Sequence, residues 1–288
     1  MSLYDLRATV ASWVRKQGGK VDPAIYANAY GSTVGYSAQL SFKPDGKRGP
    51  FVCFGLARPA LAAAPPFSKV SLNVEGKRIT YNGVFRSALC HNEDTSFQGI
   101  HYSQWPAPVI VEAAASLTLA ETCFDSSQNL QSLIYMVAGF HTDEAMIPKL
   151  RSYWGELRAF AIELAPAAAS DGGNATAPFT VPEDDKRIWL QEFCANDAVA
   201  AGGGDLDFIR VSLMSSQLYL AQRVSGSIAL ALPKRLGIPS AYVGRYMASG
   251  DVITVQERVP STSRRDVWNF LAIAGGSPDV VEGGGYLL

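Results

Sequence analysis

Hydrophobic positions in the first 17 residues recur at helical spacing. Leu3, Leu6, Val10, Trp13 and Val14 share one face of a helix expected over residues 2–17. Ser2 with Asp5 resembles a capping box with Asp in place of Glu, and Gly18-Gly19 stop the helix. Asp22-Pro23 is expected to open a short second helix that Gly31 ends. The pattern then changes period. Val34, Tyr36, Ala38, Leu40 and Phe42 alternate strictly, as a half-buried strand does. Pro44-Asp45-Gly46 reads as a turn, residues 51–56 as a short apolar strand, and residues 70–81 as a hairpin turning at Glu75-Gly76.

From Pro108 onward the apolar spacing reads as helical. Helices are expected over residues 109–121, 130–137, 143–165, 184–199, 205–232 and 239–248, with a last one after Ser263. Residues 252–256 read as a strand. Residues 165–183 are rich in Ala, Pro, Gly and Thr and nearly without charge, so they read as a linker or long surface loop. No internal repeat is apparent. The expected fold class is therefore α+β. A small N-terminal antiparallel β region with flanking helices occupies residues 1–107. A mostly α-helical body occupies 108–274, and a Gly-rich tail 275–288.

Composition narrows the class. The chain has 288 residues, 48% of them hydrophobic and 18% charged, with a net charge of −1. Low hydrophobicity with high net charge would mark disorder, and this chain has neither. The near-zero net charge favours association. It also hides segregation. Residues 1–86 hold 12 basic and 4 acidic residues, and residues 87–204 hold 5 and 15. Residues 205–265 hold 8 and 4, and the last 23 hold three acidic residues only. Such blocks suit head-to-tail contact between copies.

The four cysteines, Cys53, Cys90, Cys123 and Cys194, make no CxxC pair, and they read as free thiols of a reducing compartment. The N-terminus shows no secretory pattern and no span reads as a membrane helix, so a cytoplasmic protein is expected. Asn174-Ala175-Thr176 fits a glycosylation sequon that such a location leaves unused.

Candidate chemistry is sparse. Gly46-Lys47 lacks the rest of a phosphate-binding loop, and Gly202 to Gly204 read as a hinge rather than a dinucleotide fingerprint. No GxSxG or HExxH occurs. An enzymatic alternative would pair Cys90 with His91 and His101, or Cys123 with Asp125 and His141. The same Cys and His lack any known zinc-finger spacing, and no metal or cofactor is expected. Asp143-Glu144 and Asp184-Asp185 stand at expected helix N-termini, where the macrodipole accounts for them.

Basic residues are the remaining signal. Lys43, Lys47, Arg48, Lys77, Arg78, Lys234, Arg235, Arg264 and Arg265 all fall on turns or element ends. With Phe42, Phe51, Phe54 and Tyr81 nearby, they suit a groove for RNA or another polyanion. Both ends of the chain read as assembly arms, carrying Leu6 and Trp13 at one end and Tyr286, Leu287 and Leu288 at the other.

The expectation is thus a self-assembling structural protein, a viral coat or nucleocapsid-like subunit forming a ring, shell or filament around nucleic acid in the cytoplasm. A Cys/His enzyme and a monomeric protein- or RNA-binding module are the alternatives. In its wealth of Ala, Ser and Pro the chain is similar to the proline-alanine-serine-rich proteins that coat the genomes of certain fungal RNA viruses. That likeness is one of composition and assigns no residue.

Overall fold

The computed structural model describes residues 6–29, 35–57, 68–85, 89, 102–124, 126–127, 129–130, 134–164, 173–182, 185, 187–197, 206–224, 234–235, 238–259 and 266–282. It is mostly β-sheet, in four sheets, and the expected α-helical body is not found. The chain forms two compact units, residues 1–158 with 273–288 and residues 159–272.

The first unit opens with α1 (Leu6–Lys16), where Leu6, Val10, Ala11 and Val14 are buried. Gly18 and Gly19 donate to the carbonyls of Arg15 and Val14 and close its end, and Arg15 and Lys16 complement the dipole there. Its strands are β1 (Asp22–Ala29), β2 (Ser37–Phe42), β3 (Phe51–Ala57), β4 (Ser68–Val74), β5 (Lys77–Arg78), β6 (Thr80–Tyr81), β7 (Val84–Phe85), β8 (Tyr102–Val111), β9 (Leu117–Cys123) and β10 (Ile134–His141). One sheet runs β1-β10-β3-β8 and the other β2-β9-β4-β5, with β7 also on β4. The expected hairpin is present, with Asn73 opposite Arg78 and Val74 opposite Lys77. The expected helix at residue 22 is instead strand β1, the one over 109–121 is the end of β8 and the start of β9, and residues 134–137 of the one over 130–137 lie on strand β10.

The helix expected over 143–165 is cut short. α2 (Ile147–Trp154) stops at Gly155, whose φ of 70° suits glycine, and the chain leaves as a strand. An added Cβ at Gly155 would lie 2.8 Å from the Ala274 carbonyl oxygen, so the turn also needs the space.

The remaining strands are β11 (Glu156–Leu164), β12 (Gly173–Thr180), β13 (Arg187–Asp197), β14 (Leu206–Leu213), β15 (Ser216–Val224), β16 (Lys234–Arg235), β17 (Ile238–Ala248), β18 (Val252–Val259) and β19 (Asp266–Ala274), followed by α3 (Pro278–Val281). The second unit orders its strands β16-β17-β13-β19-β11 and β12-β18-β14-β15. In the segments expected as helices over 184–199, 205–232 and 239–248, and after Ser263, the described residues form β13, the β14–β15 hairpin, β17 and β19. Part of the expected loop at 165–183 is β12.

The two units share one topology. In the first, β1–β5 and β8–β10 make eight principal strands. Its sheets take the first, eighth, third and sixth of these, and the second, seventh, fourth and fifth. In the second unit β11–β15 and β17–β19 repeat both orders. Two four-stranded sheets wound this way are a jelly roll, so the architecture repeats although no sequence repeat is visible.

The repetition extends to chemistry. Each unit buries a glutamate on its seventh strand, Glu121 on β9 and Glu257 on β18, both with no solvent exposure. In each, an aromatic donor reaches it from the eighth strand, on the opposite sheet. The Tyr135 hydroxyl donates to Glu121 at 2.8 Å, and Trp268 Nε1 to Glu257 at 2.5 Å. Ser68 also donates to Glu121. A carboxylate buried this way needs such donors to offset its desolvation.

Candidate assembly surface

α1 and α2 lie on the outer face of the β1-β10-β3-β8 sheet. Their apolar residues form one core with Val52, Phe54, Ile110 and Phe140. Toward β1 that same face is open. The side chains of β1 alternate, and Pro23, Ile25, Ala27 and Ala29 point outward into solvent. Ile25 is 60% exposed, and Ile134, on the same face opposite Ala29, is 43% exposed. The outer row of β1 thus carries no charged or polar side chain. Among the described residues, β1 is also an edge strand of its sheet.

The inner row of β1 is tied down by polar bonds. The Tyr26 hydroxyl lies 2.6 Å from His141 Nε2 and accepts from the Asp45 N–H at 2.9 Å. His141 Nδ1 lies 2.7 Å from the Gly49 carbonyl oxygen, which can only accept. Nδ1 therefore donates to Gly49, which in the neutral ring leaves Nε2 to accept from Tyr26. The Asp22 carboxylate accepts from Arg48 Nε at 2.8 Å and meets its Nη2 at 2.7 Å. The hydrogen bond from Arg48 holds the Asp22 carboxyl below its ordinary range. Arg48 also donates to the Pro23 carbonyl at 3.1 Å, and the Asn28 side chain donates to the Ser41 carbonyl at 2.9 Å.

The sequence-derived basic residues fare unequally. Arg48 is engaged by Asp22 and Lys77 by Glu156, which Arg151 also meets. Lys43, Lys47 and Arg78 are exposed and enter no ion pair among the described residues. Lys234 and Arg235 form the short strand β16. Arg264 and Arg265 lie outside the described residues, as do Tyr286, Leu287 and Leu288. Leu6 is buried in the unit's own core, and Trp13 stacks on Tyr153 at 5.0 Å, so α1 packs on its own chain.

The Cys/His sets divide likewise. Cys90, His91, His101 and Asp125 fall outside the described residues. Cys123 and His141 are both buried but lie toward opposite ends of the sandwich. Leu117 pairs with Phe42, close to the turn that holds His141, and Cys123 stands six residues further along β9, about 20 Å away at strand rise. Cys53 is a free, fully buried thiol, and burial pushes its pKa up to about 12. Asp143 and Glu144 stand at the N-terminus of the 3-10 turn that leads into α2, where the helix dipole favours them, and Asp143 also accepts the Lys20 backbone N–H. Asp185 instead precedes strand β13. Among the described residues no group of three or more His, Cys, Asp or Glu is placed to hold a metal ion, and no helix is long and apolar enough to cross a membrane.

No family model and no curated protein matches the sequence. Solved structures with which it aligns include virus proteins and an amide hydrolase. It is similar to the major capsid protein P2 of bacteriophage PM2, at 7% identity and a TM-score of 0.43, over 88% of this chain and 98% of that one. It is similar to a chain of Sulfolobus Turreted Icosahedral Virus at 11% identity and 0.40, over 87% and 91%. It is also similar to PNGase F, a glycosylasparaginase from Flavobacterium meningosepticum, at 7% identity and 0.37, over 89% and 97%. Virus proteins and an amide hydrolase stand together in this set, which therefore selects no function.

Proposed function

We propose that the chain is a self-assembling structural protein, a coat or nucleocapsid-like subunit that associates with copies of itself. The observation that supports this is the β1 edge. An edge strand is a template for pairing with another chain, and monomeric proteins blunt it with lysines, bulges or covering segments. β1 has an uninterrupted apolar outer row, regular pairing to β10 and Pro23 at one end only. Jelly rolls occur in viral capsids, and also in lectins and cupins, so the topology agrees with this role without requiring it.

Enclosure of nucleic acid belongs to the same proposal at a further remove. Its support is the exposed trio Lys43, Lys47 and Arg78. Assembly would take place in the cytoplasm, in keeping with the free thiol Cys53. Static light scattering of the purified chain with and without added RNA tests both parts. Association in protein alone supports the assembly reading, and a further, salt-sensitive rise with RNA supports the polyanion role. A monomer at every concentration removes the first, and a signal indifferent to RNA removes the second.

A further inference from the structure

We infer that β1 is a self-complementary strand that pairs antiparallel with β1 of a second copy, across a two-fold axis at Tyr26. This rests on the reading of the chain as a self-assembling subunit, and it specifies the contact.

The argument begins with which backbone groups face outward. Along a strand, successive residues direct their N–H and C=O alternately to the two sides. The Pro23 carbonyl accepts from the Arg48 side chain at 3.1 Å. The Ala29 N–H is taken by the Asn28 side chain at 2.8 Å. On β10's other side, the Thr142 N–H bonds to the Pro50 carbonyl beside β3. Even-numbered residues of this segment thus face β3, and His141, Gly139, Val137 and Tyr135 face β1. Their partners are Asp22, Ala24, Tyr26 and Asn28. Residues 23, 25, 27 and 29 therefore turn their backbone groups to the open edge.

The outermost donors are already closed. Pro23 has no N–H and its carbonyl is held by Arg48, and the Ala29 N–H is capped by Asn28. What remains, apart from the Ala29 carbonyl at the strand's end, is the N–H and C=O of Ile25 and of Ala27. A two-fold axis at Tyr26 sets Ile25 opposite Ala27 of the second copy, and Ala27 opposite Ile25. Each such pair exchanges both bonds, so these four groups are all satisfied. An axis at Ile25 would set Ala27 against Pro23, which cannot donate. An axis at Ala27 would set Ile25 against the capped Ala29. Only the Tyr26 axis matches the groups left open.

Side chains agree with this register. On the outer face a large Ile25 meets a small Ala27 from the other copy, twice, with no charge between them. Tyr26 stands on the axis with its ring on the inner face, fixed by His141 and Asp45. The edge is thus held in its pairing conformation, which lowers the ordering cost of association.

Two kinds of variant test the pairing. Ala27→Pro removes a central outward donor, and as an edge position it takes no bond from the strand's own sheet. Ile25→Lys places a charge in the apolar row. Sedimentation equilibrium should show each weakening self-association by about tenfold or more. For the register, Ile25→Cys and Ala27→Cys chains are mixed under mild oxidation, with the wild-type chain as the thiol background. Facing positions lie about 5.5 Å apart between Cα atoms, within disulfide reach, so the mixture should cross-link where either variant alone does not. Should Ala27→Pro lose its far-ultraviolet circular dichroism, Ile25→Lys and the cysteine pair decide, since both keep the backbone donors. If the wild type associates, but the variants associate equally or the single-cysteine chains cross-link as well as the mixture, this pairing is overturned and the assembly reading stands. A wild type that stays monomeric overturns both.

Discussion

The Tyr26 hydroxyl joins three parts of the chain: its own strand β1, the turn at Asp45, and His141 at the end of β10. Removing it in Tyr26→Phe leaves the Asp45 N–H and the buried His141 Nε2 without that partner. The expected loss is about 1–3 kcal/mol, the cost of buried polar groups left unsatisfied, read from urea unfolding. The neighbouring Asp22 carries a pH signature. Its folded carboxyl titrates below its unfolded value because Arg48 binds the charged form. Its contribution to stability is therefore fully present above the unfolded value and is lost as pH falls through the folded one. The melting temperatures of wild type and Asp22→Asn should differ by a constant amount above about pH 5 and converge as acid protonates Asp22. A gap that persists unchanged into acid would refute the Asp22–Arg48 account.

Between elements, the closest approach lies where β10 crosses the bulge in β3. A Cβ at Gly139 would collide with the Val52 carbonyl oxygen, and both strands are buried there. Gly139→Ala should cost about 3 kcal/mol or more, because backbone has to move, and denaturant titration would measure it. Element type was legible in the sequence where one face of a strand is wet. β2 and β4 alternate in burial much as their residues alternate in polarity, and the Glu75-Gly76 turn has both residues at positive φ. It was illegible where a strand is buried on both sides. β11 and β19 are covered along nearly their whole length, and their apolar runs over 159–162 and 270–274 carry no period-2 signal to separate them from a helix. β1 fails for a different reason: with small Ala residues on both rows, its alternation has little contrast. The candidate surface was missed with it. Whether a strand lies at an edge is decided by partners distant in sequence, so attention fell on the termini, where Leu6 turns out to serve the chain's own core.

At the scale of the whole molecule, the fold redistributes charge. The basic and acidic blocks of the sequence do not survive as separate bodies. The first unit holds 15 basic and 14 acidic residues and the second 10 and 12, so the units carry +1 and −2. The units' net charges thus supply little head-to-tail attraction between whole units, and apolar and backbone contact is the other source of association. That is the kind of contact the β1 edge offers. The two jelly rolls also place a buried glutamate in corresponding positions, so the repeat is one of packing chemistry as well as strand order. Sedimentation velocity of the purified full-length chain over a wide concentration range, without nucleic acid, tests the central claim most directly. The account predicts a mass-action shift from monomer to dimer or larger species as concentration rises. A single boundary of monomer mass at every concentration would contradict it.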